Sequence, residues 1–122
     1  MLVKGIGVDI VKLERIEAVY ERFGERFARK ILSEEELAGT SITANLLAKR
    51  FAAKEAIAKA LGTGFREGIT MPSITIGKNT FNKPEVKLVG RAAEQLHVLG
   101  AIEVLVSIAD EVDSVVAFAI AQ

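Results

Sequence analysis

The chain has 122 residues, half of them apolar, which is enough for one modest hydrophobic core, and we expect a single domain over residues 1–122. Lysine and arginine number 16 and aspartate and glutamate number 16, so the charge balance argues against a surface adapted as a whole to nucleic acid or to an acidic membrane. The absence of cysteine and the single histidine exclude a disulfide framework, a thiol nucleophile and a thiolate zinc site.

The first predicted element is a strand over residues 2–10. Apolar side chains alternate there with Gly5, Gly7 and Asp9, so these three share one face. The glycines have a purely structural interpretation, which is to relieve packing beneath a helix. Asp9 weakens that interpretation, because a carboxylate within an apolar strand is rarely buried without a partner.

Helical spacing follows over residues 12–31, with a break at Gly24. Ser33 and Glu36 form an S-x-x-E capping box, which predicts the start of another short helix. Residues 38–43 are predicted to form a loop.

The longest predicted helix runs from Ala44 to Leu61, and Gly62 supplies a left-handed residue after its end. It carries charged residues through its middle, where Lys54 is followed by Glu55 and Lys59, four residues apart and thus on one face. The glycine-rich turn after the helix is either an ordinary C-cap or an anion-binding nest. It is not a P-loop, because it follows a helix instead of preceding one.

The second half of the chain is predicted to contain two pairs of strands separated by a helix over residues 91–100. The predicted strands are residues 73–79, 85–90, 102–109 and 114–121. Asn82 is suited to a left-handed position in the first hairpin turn. This order of elements predicts an α+β fold with antiparallel strands.

The last strand, SVVAFAIA, is apolar on both faces. Such a strand needs cover on both sides, and few elements remain in a chain of this length to provide it. Self-association is therefore the economical interpretation.

A basic stretch, RFGERFARK, begins at Arg22 and places Phe23 and Phe27 one helical turn apart. Two interpretations stay open for this amphipathic helix. It is either a solvated face above a docked apolar stripe or a docking patch for an acidic partner.

The most specific pattern combines four stretches, which are GIGVDIVKLERI, LLAKRFAAKEAIAKALGTG, NKP and VSIADE. In this order and spacing they resemble the holo-acyl-carrier-protein synthases, a class of 4′-phosphopantetheinyl transferases, over almost the whole chain. The resemblance implies that family's fold, a long central helix packed with a small antiparallel β-sheet. It also implies magnesium-dependent transfer of the 4′-phosphopantetheine of coenzyme A to a serine of apo-acyl carrier protein, which gives holo-acyl carrier protein and 3′,5′-ADP in fatty acid biosynthesis.

The resemblance also implies roles for individual residues. Asp9 and Glu55 match the two carboxylates that hold Mg²⁺, and Lys59 matches the lysine that acts beside them in catalysis. The serine proton would pass to Glu55 or to a metal-bound water, and the sequence leaves both open. The positions implied in binding coenzyme A are Arg50, Lys59, Gly62, Thr63, Lys83 and Pro84.

The implied partners are coenzyme A and apo-acyl carrier protein, whose acidic face would meet the helix that contains Arg15, Arg22 and Arg26. The family commonly forms homotrimers with active sites shared between neighbours. We expect no nucleic-acid partner, because the basic and acidic residues balance. We expect no membrane association and no targeting segment, because no apolar run approaches about 20 residues and the stretch MLVKGIGVDI has no apolar region followed by a small-residue cleavage site. A cytoplasmic location is expected.

Two positions depart from the pattern of many relatives, which have histidine at Asp110 and glycine at Asn82. We expect Asp110 to orient a basic neighbour such as Lys59, or to bond a magnesium-bound water. Two other functions compete with the transferase. One is a noncatalytic module that binds the carrier protein, and the other is a different magnesium-dependent enzyme acting on a nucleotide or pyrophosphate.

Overall fold

A computed structural model gives the fold of residues 2–39 and 41–122. The elements follow in the order β1 (Gly5–Lys12), α1 (Leu13–Phe23), α2 (Glu25–Ile31), α3 (Glu34–Gly39), α4 (Ala44–Ala60), β2 (Ile74–Lys78), β3 (Pro84–Leu88), α5 (Gly90–Val98), β4 (Val104–Asp110) and β5 (Ser114–Ala121). A short 3₁₀ turn, Met71–Ser73, precedes β2. Within the described residues, none of the helices is both long and apolar enough to cross a membrane.

The strands form two antiparallel sheets, so the predicted α+β fold with antiparallel pairing is confirmed. The larger sheet has the order β1-β5-β4, and the smaller one is the hairpin β2-β3. The last strand of the chain is thus the central strand of the larger sheet, where Asp9 on β1 stands opposite Ala117 on β5. Helix α4 packs on one face of this sheet against β1 and β5.

Gly5 and Gly7 allow α4 to lie directly on β1. A Cβ atom added at Gly5 would collide with the carbonyl oxygen of Ala60, and one added at Gly7 would collide with that of Ala56. The structural interpretation of these glycines is therefore confirmed. The structural role of the glycines is compatible with a functional role of Asp9, because the close approach of β1 to α4 also brings Asp9 next to this helix.

Local signals in the sequence predicted most of the element ends. Gly24 adopts a φ of 54° and separates α1 from α2, and Gly62 adopts a φ of 88° after α4. Asn82 has a φ of 64° in the hairpin turn, as predicted. Helix α3 extends to Gly39, into the predicted loop 38–43, of which Thr40 lies outside the described residues.

The first strand was placed too early, because β1 starts at Gly5 and runs to Lys12 instead of covering residues 2–10. Its extent is set by pairing with β5, where Gly5 meets Ala121 and Lys12 meets Ser114. This partner strand lies more than a hundred residues away in the chain, beyond the reach of local alternation.

The outer face of the larger sheet is apolar and uncovered by the described chain. Neighbouring strands align Ile6, Ile120 and Leu105 in one row across the sheet. The next rows centre on Phe118 and Val116, which are 41% and 38% exposed. The inner residues of β5 are buried against α4, so this strand is apolar on both faces, as the sequence predicted.

Candidate active site

Strand β1 and helix α4 bring together three charged side chains that the sequence singled out. Lys59 Nζ donates to the carbonyl oxygen of Val8 at 2.9 Å and to Asp9 Oδ1 at 3.2 Å. Glu55 lies one helical turn before Lys59 on the same face of α4. The structure therefore places Asp9, Glu55 and Lys59 in one cluster, which we call the acidic cluster.

The acidic cluster holds more negative charge than its single lysine offsets. Burial raises the pKa of Glu55 above its usual 4.5, and the nearby Asp9 carboxylate raises it further, while Lys59 acts in the opposite direction. A site that penalises a second carboxylate charge in this way favours a bound cation. The donor set fits Mg²⁺, which takes one or two carboxylates and completes its shell with water and substrate phosphate. Among the described residues no group of three or more histidine, aspartate or glutamate side chains forms a metal cage, and Mg²⁺ does not need one.

The glycine-rich turn follows directly after Lys59. The amide of Gly62 donates to the carbonyl oxygen of Lys59 at 3.0 Å, and the amide of Gly64 donates to that of Ala58 at 3.1 Å. These two amides therefore cap α4, which favours the C-cap interpretation over an anion nest built from them. The Thr63 hydroxyl donates to the carbonyl oxygen of Gly64 at 2.9 Å. Gly62 and Thr63 follow Lys59 by three and four residues in the chain.

A second set of predicted residues lies in a groove between α4, the β2-β3 hairpin and the end of β4. We call it the hairpin groove; its cavity measures about 260 Å³. Arg50 and Pro84 line it together with Lys49, Asn82 and Asp110. Lys83, also predicted to contact coenzyme A, is exposed in the turn beside Pro84.

Asp110 does not pair with Lys59, which corrects one expectation from the sequence. Its Oδ2 lies 3.8 Å from Nζ of Lys49, near the start of α4, and both side chains are partly exposed. Lys49 and Lys59 are ten residues apart, which corresponds to about 15 Å along the helix axis. Asp110 therefore belongs to the hairpin groove and not to the acidic cluster.

The acidic cluster and the hairpin groove lie on different sides of α4. Arg50 and Glu55 are five residues apart, so they differ by about 7.5 Å in height and about 140° in direction around the helix. The predicted ligand-binding residues thus divide into two sets within one chain.

The basic stretch forms an aromatic groove between α1 and α2. A cavity of about 270 Å³ is lined by Phe23, Phe27, Val19, Arg26 and Lys30. The Phe23 ring is 43% exposed, and the guanidinium groups of Arg22 and Arg26 lie 5.1 and 5.9 Å from its centre. We call this surface the Phe23 groove; it combines an apolar floor with positive edges.

Comparisons with known proteins identify the family. Residues 5–113 match the model of the 4′-phosphopantetheinyl transferase superfamily. A holo-[acyl-carrier-protein] synthase from Shewanella amazonensis is 47% identical over 123 residues, which cover 98% of each protein. The chain belongs to the holo-[acyl-carrier-protein] synthase family.

Solved structures agree with this assignment. The crystal structure of the holo-[acyl-carrier-protein] synthase from Neisseria meningitidis is 44% identical and has a TM-score of 0.90, covering 99% of both chains. The synthase of Helicobacter pylori, solved in complex with coenzyme A, is 29% identical with a TM-score of 0.85, covering 96% of this chain and 99% of that one. The family, the fold and the enzyme class predicted from the sequence are confirmed.

Lys54, which stands next to Glu55, has a role that the sequence did not reveal. Lys54 is completely buried, and its Nζ donates to Glu36 Oε1 and to the carbonyl oxygen of Ile31, both at 2.6 Å, and to that of Met71 at 3.1 Å. Burial lowers the pKa of Lys54, and the Glu36 carboxylate partly offsets that effect. The sequence feature that indicated the burial of Lys54 was Ile57, an apolar residue one turn later on the same face of α4.

Proposed function

We propose that the protein is a holo-acyl-carrier-protein synthase that transfers 4′-phosphopantetheine from coenzyme A to a serine of apo-acyl carrier protein. The serine oxygen forms a bond to the phosphorus of the phosphopantetheine arm, and the bond from that phosphorus to the nucleotide breaks. The products are holo-acyl carrier protein and 3′,5′-ADP, and the serine proton passes to a base. The convergence of Asp9, Glu55 and Lys59 in a chain of this family carries the proposal.

The proposed reaction depends on Mg²⁺ held by Asp9 and Glu55. When bound there, the ion would neutralise charge on the diphosphate of coenzyme A. Lys59 supplies a further positive charge at the same place, held by Asp9 and by the carbonyl oxygen of Val8. Both roles of Glu55, as a metal ligand and as a candidate base for the serine proton, require its ionised form.

We further propose a homotrimer with shared active sites. The apolar outer face of the larger sheet supports self-association, because residues such as Ile6, Val8 and Phe118 are more than one third exposed there. Sharing is supported by the separation of the two sets of predicted ligand residues around α4. In this arrangement the acidic cluster of one protomer and the hairpin groove of its neighbour bind one coenzyme A.

The Phe23 groove is the proposed docking surface for acyl carrier protein. Its arginines suit an acidic partner, and its exposed ring offers an apolar anchor of the kind that dominates protein interfaces. The cytoplasmic location, the place in fatty acid biosynthesis and the single domain over residues 1–122 stay predictions.

The proposal is tested by replacing each carboxylate of the acidic cluster. Asp9→Ala and Glu55→Ala should each abolish transfer at every Mg²⁺ concentration while circular dichroism shows a folded protein. Glu14→Ala, on the exposed side of α1, is the control and should transfer normally. Near-normal turnover by either cluster variant would refute the metal assignment.

A further inference from the structure

The two oxygens of the buried Glu36 carboxylate have different partners. Oε1 accepts from the amide of Ser33 at 2.8 Å, in the predicted capping box, and from Lys54 at 2.6 Å. Oε2 accepts from the amide of Ile76 at 3.2 Å and lies 3.1 Å from Nε of Arg50. The Glu36 side chain is only 4% exposed. Oε1 is thus engaged in the fold, whereas Oε2 faces a residue that lines the hairpin groove.

Glu36 serves two cations with one negative charge. Lys54 is 0% exposed and donates to Glu36 and to the carbonyl oxygens of Ile31 and Met71 inside the protein, so its charge is compensated in the interior. Glu36, Lys54 and Arg50 together carry one net positive charge. Arg50 is 12% exposed and lines the hairpin groove, so this charge is located there. An ion pair through Nε leaves other N–H donors of the guanidinium for an anion.

The Oε2 atom also connects the two walls of the groove. Ile76 belongs to β2 and lines the groove on the hairpin side, whereas Arg50 lines it from α4. Both contact the same carboxylate oxygen. Glu36 therefore links Arg50, through an ion pair, to the hairpin strand that it holds by the hydrogen bond from Ile76.

We propose that Glu36 is a positioning residue that directs Arg50 toward the phosphate-bearing part of coenzyme A, while Lys54 neutralises the charge that Glu36 would otherwise place in the interior. This inference rests on the proposed function, because it takes coenzyme A as the ligand of the groove. Without Glu36, the long arginine side chain would be free to adopt other rotamers, and binding would have to order it.

The test is the steady-state kinetics of Glu36→Gln with coenzyme A and apo-acyl carrier protein varied separately. We expect KM for coenzyme A to rise about tenfold, which lies within the range of coupling between residues of one ion-pair network, with KM for the carrier unchanged. Arg50→Ala should raise the same KM, and adding Glu36→Gln to it should raise KM no further, because both changes remove one interaction. A residue that only stabilises the fold would instead lower the amount of active enzyme and leave KM for coenzyme A unchanged.

Glu36→Gln leaves Lys54 without its counter-charge and could prevent folding. The second variant, Glu36→Gln with Lys54→Met, removes both buried charges and should be better tolerated. It should show the same rise in KM and weaker binding of coenzyme A by titration calorimetry. Glu35→Gln is the matched control, because Glu35 lies next in the same helix in an exposed ion pair with Lys87 at 3.2 Å, and its KM should not change.

The possible failures are distinguishable. If the wild-type protein does not modify apo-acyl carrier protein, the proposed function fails. If the wild type transfers, but the Glu36 variants bind coenzyme A normally or their effects multiply with that of Arg50→Ala, only the positioning role of Glu36 is overturned.

Discussion

Replacing Gly7 with alanine tests whether the direct contact between β1 and α4 assembles the acidic cluster. The new Cβ would meet the carbonyl oxygen of Ala56, and it would lie 2.8 Å from both the amide nitrogen of Ala60 and Cβ of Lys59. Backbone atoms cannot rotate away, so the helix must move off the strand. Overpacking of this kind costs about 1–3 kcal/mol, and we expect the upper end of that range here. For a domain of this size that corresponds to a fall in Tm of about 10 °C.

The same displacement should damage activity, because Asp9 follows Gly7 by two residues and Glu55 precedes Ala56 by one. A shift of about 1 Å between catalytic groups typically lowers the rate about a hundredfold. Thermal unfolding and the transfer rate to apo-acyl carrier protein measure the two effects. Gly39→Ala is the control, because its Cβ would meet no atom within 4 Å among the described residues beyond its own neighbours in the chain and helix, and its Tm should be unchanged or slightly raised. A Gly7→Ala protein with wild-type Tm and turnover would refute the reasoning.

Three further predictions follow from the charges of the described residues. Burial and Asp9 raise the pKa of Glu55, so the metal-free native state binds the Glu55 proton more tightly than the unfolded chain, and the free energy of unfolding falls as pH rises above 4.5 through the raised pKa. Glu55→Gln in chelator should therefore unfold at a higher temperature than wild type at pH 7. An equal gain in unfolding temperature at pH 4 would contradict this pH dependence. Refolding Asp9→Ala and Arg50→Ala proteins as an equimolar mixture, assayed at coenzyme A well below KM, should restore about a quarter of wild-type activity, since a quarter of shared sites receive both intact halves. A trimeric mixture that is no more active than the mean of the two separate variants would argue against shared sites. Replacing Arg22 and Arg26 with glutamate should raise KM for the carrier, as added salt should, without changing KM for coenzyme A. The control variant Lys87→Glu on β3 should have little effect on KM for the carrier. If neither the two arginine replacements nor added salt changes KM for the carrier, the Phe23 groove is only a solvated face.

The sequence predicted those parts of the fold that depend on near neighbours in the chain. Gly24, Gly62 and Asn82 adopt the positive φ that their residue types favour, and the capping box at Ser33 is formed. The face shared by Gly7 and Asp9 was predicted for the same reason, since alternation in a strand is a local property.

Features that depend on distant partners were missed. Burial of Lys54 is tolerated because Glu36, 18 residues earlier, accepts a hydrogen bond from its Nζ, and the sequence shows no link between the two. Asp110 pairs with Lys49 because β4 ends beside the start of α4, which follows only from the packing of the sheet on that helix. The division of the predicted ligand residues between two sides of α4 could not be predicted either, because it depends on where the β2-β3 hairpin and β1 pack against that helix.

The mass of intact acyl carrier protein tests the central claim most directly. The wild-type protein is incubated with coenzyme A, Mg²⁺ and apo-acyl carrier protein, and the carrier is then weighed by mass spectrometry. We predict a gain of one 4′-phosphopantetheine on the carrier serine, lost when Mg²⁺ is chelated and absent with Asp9→Ala. A carrier that keeps its original mass, although a folded synthase and both substrates are present with Mg²⁺, would contradict the account.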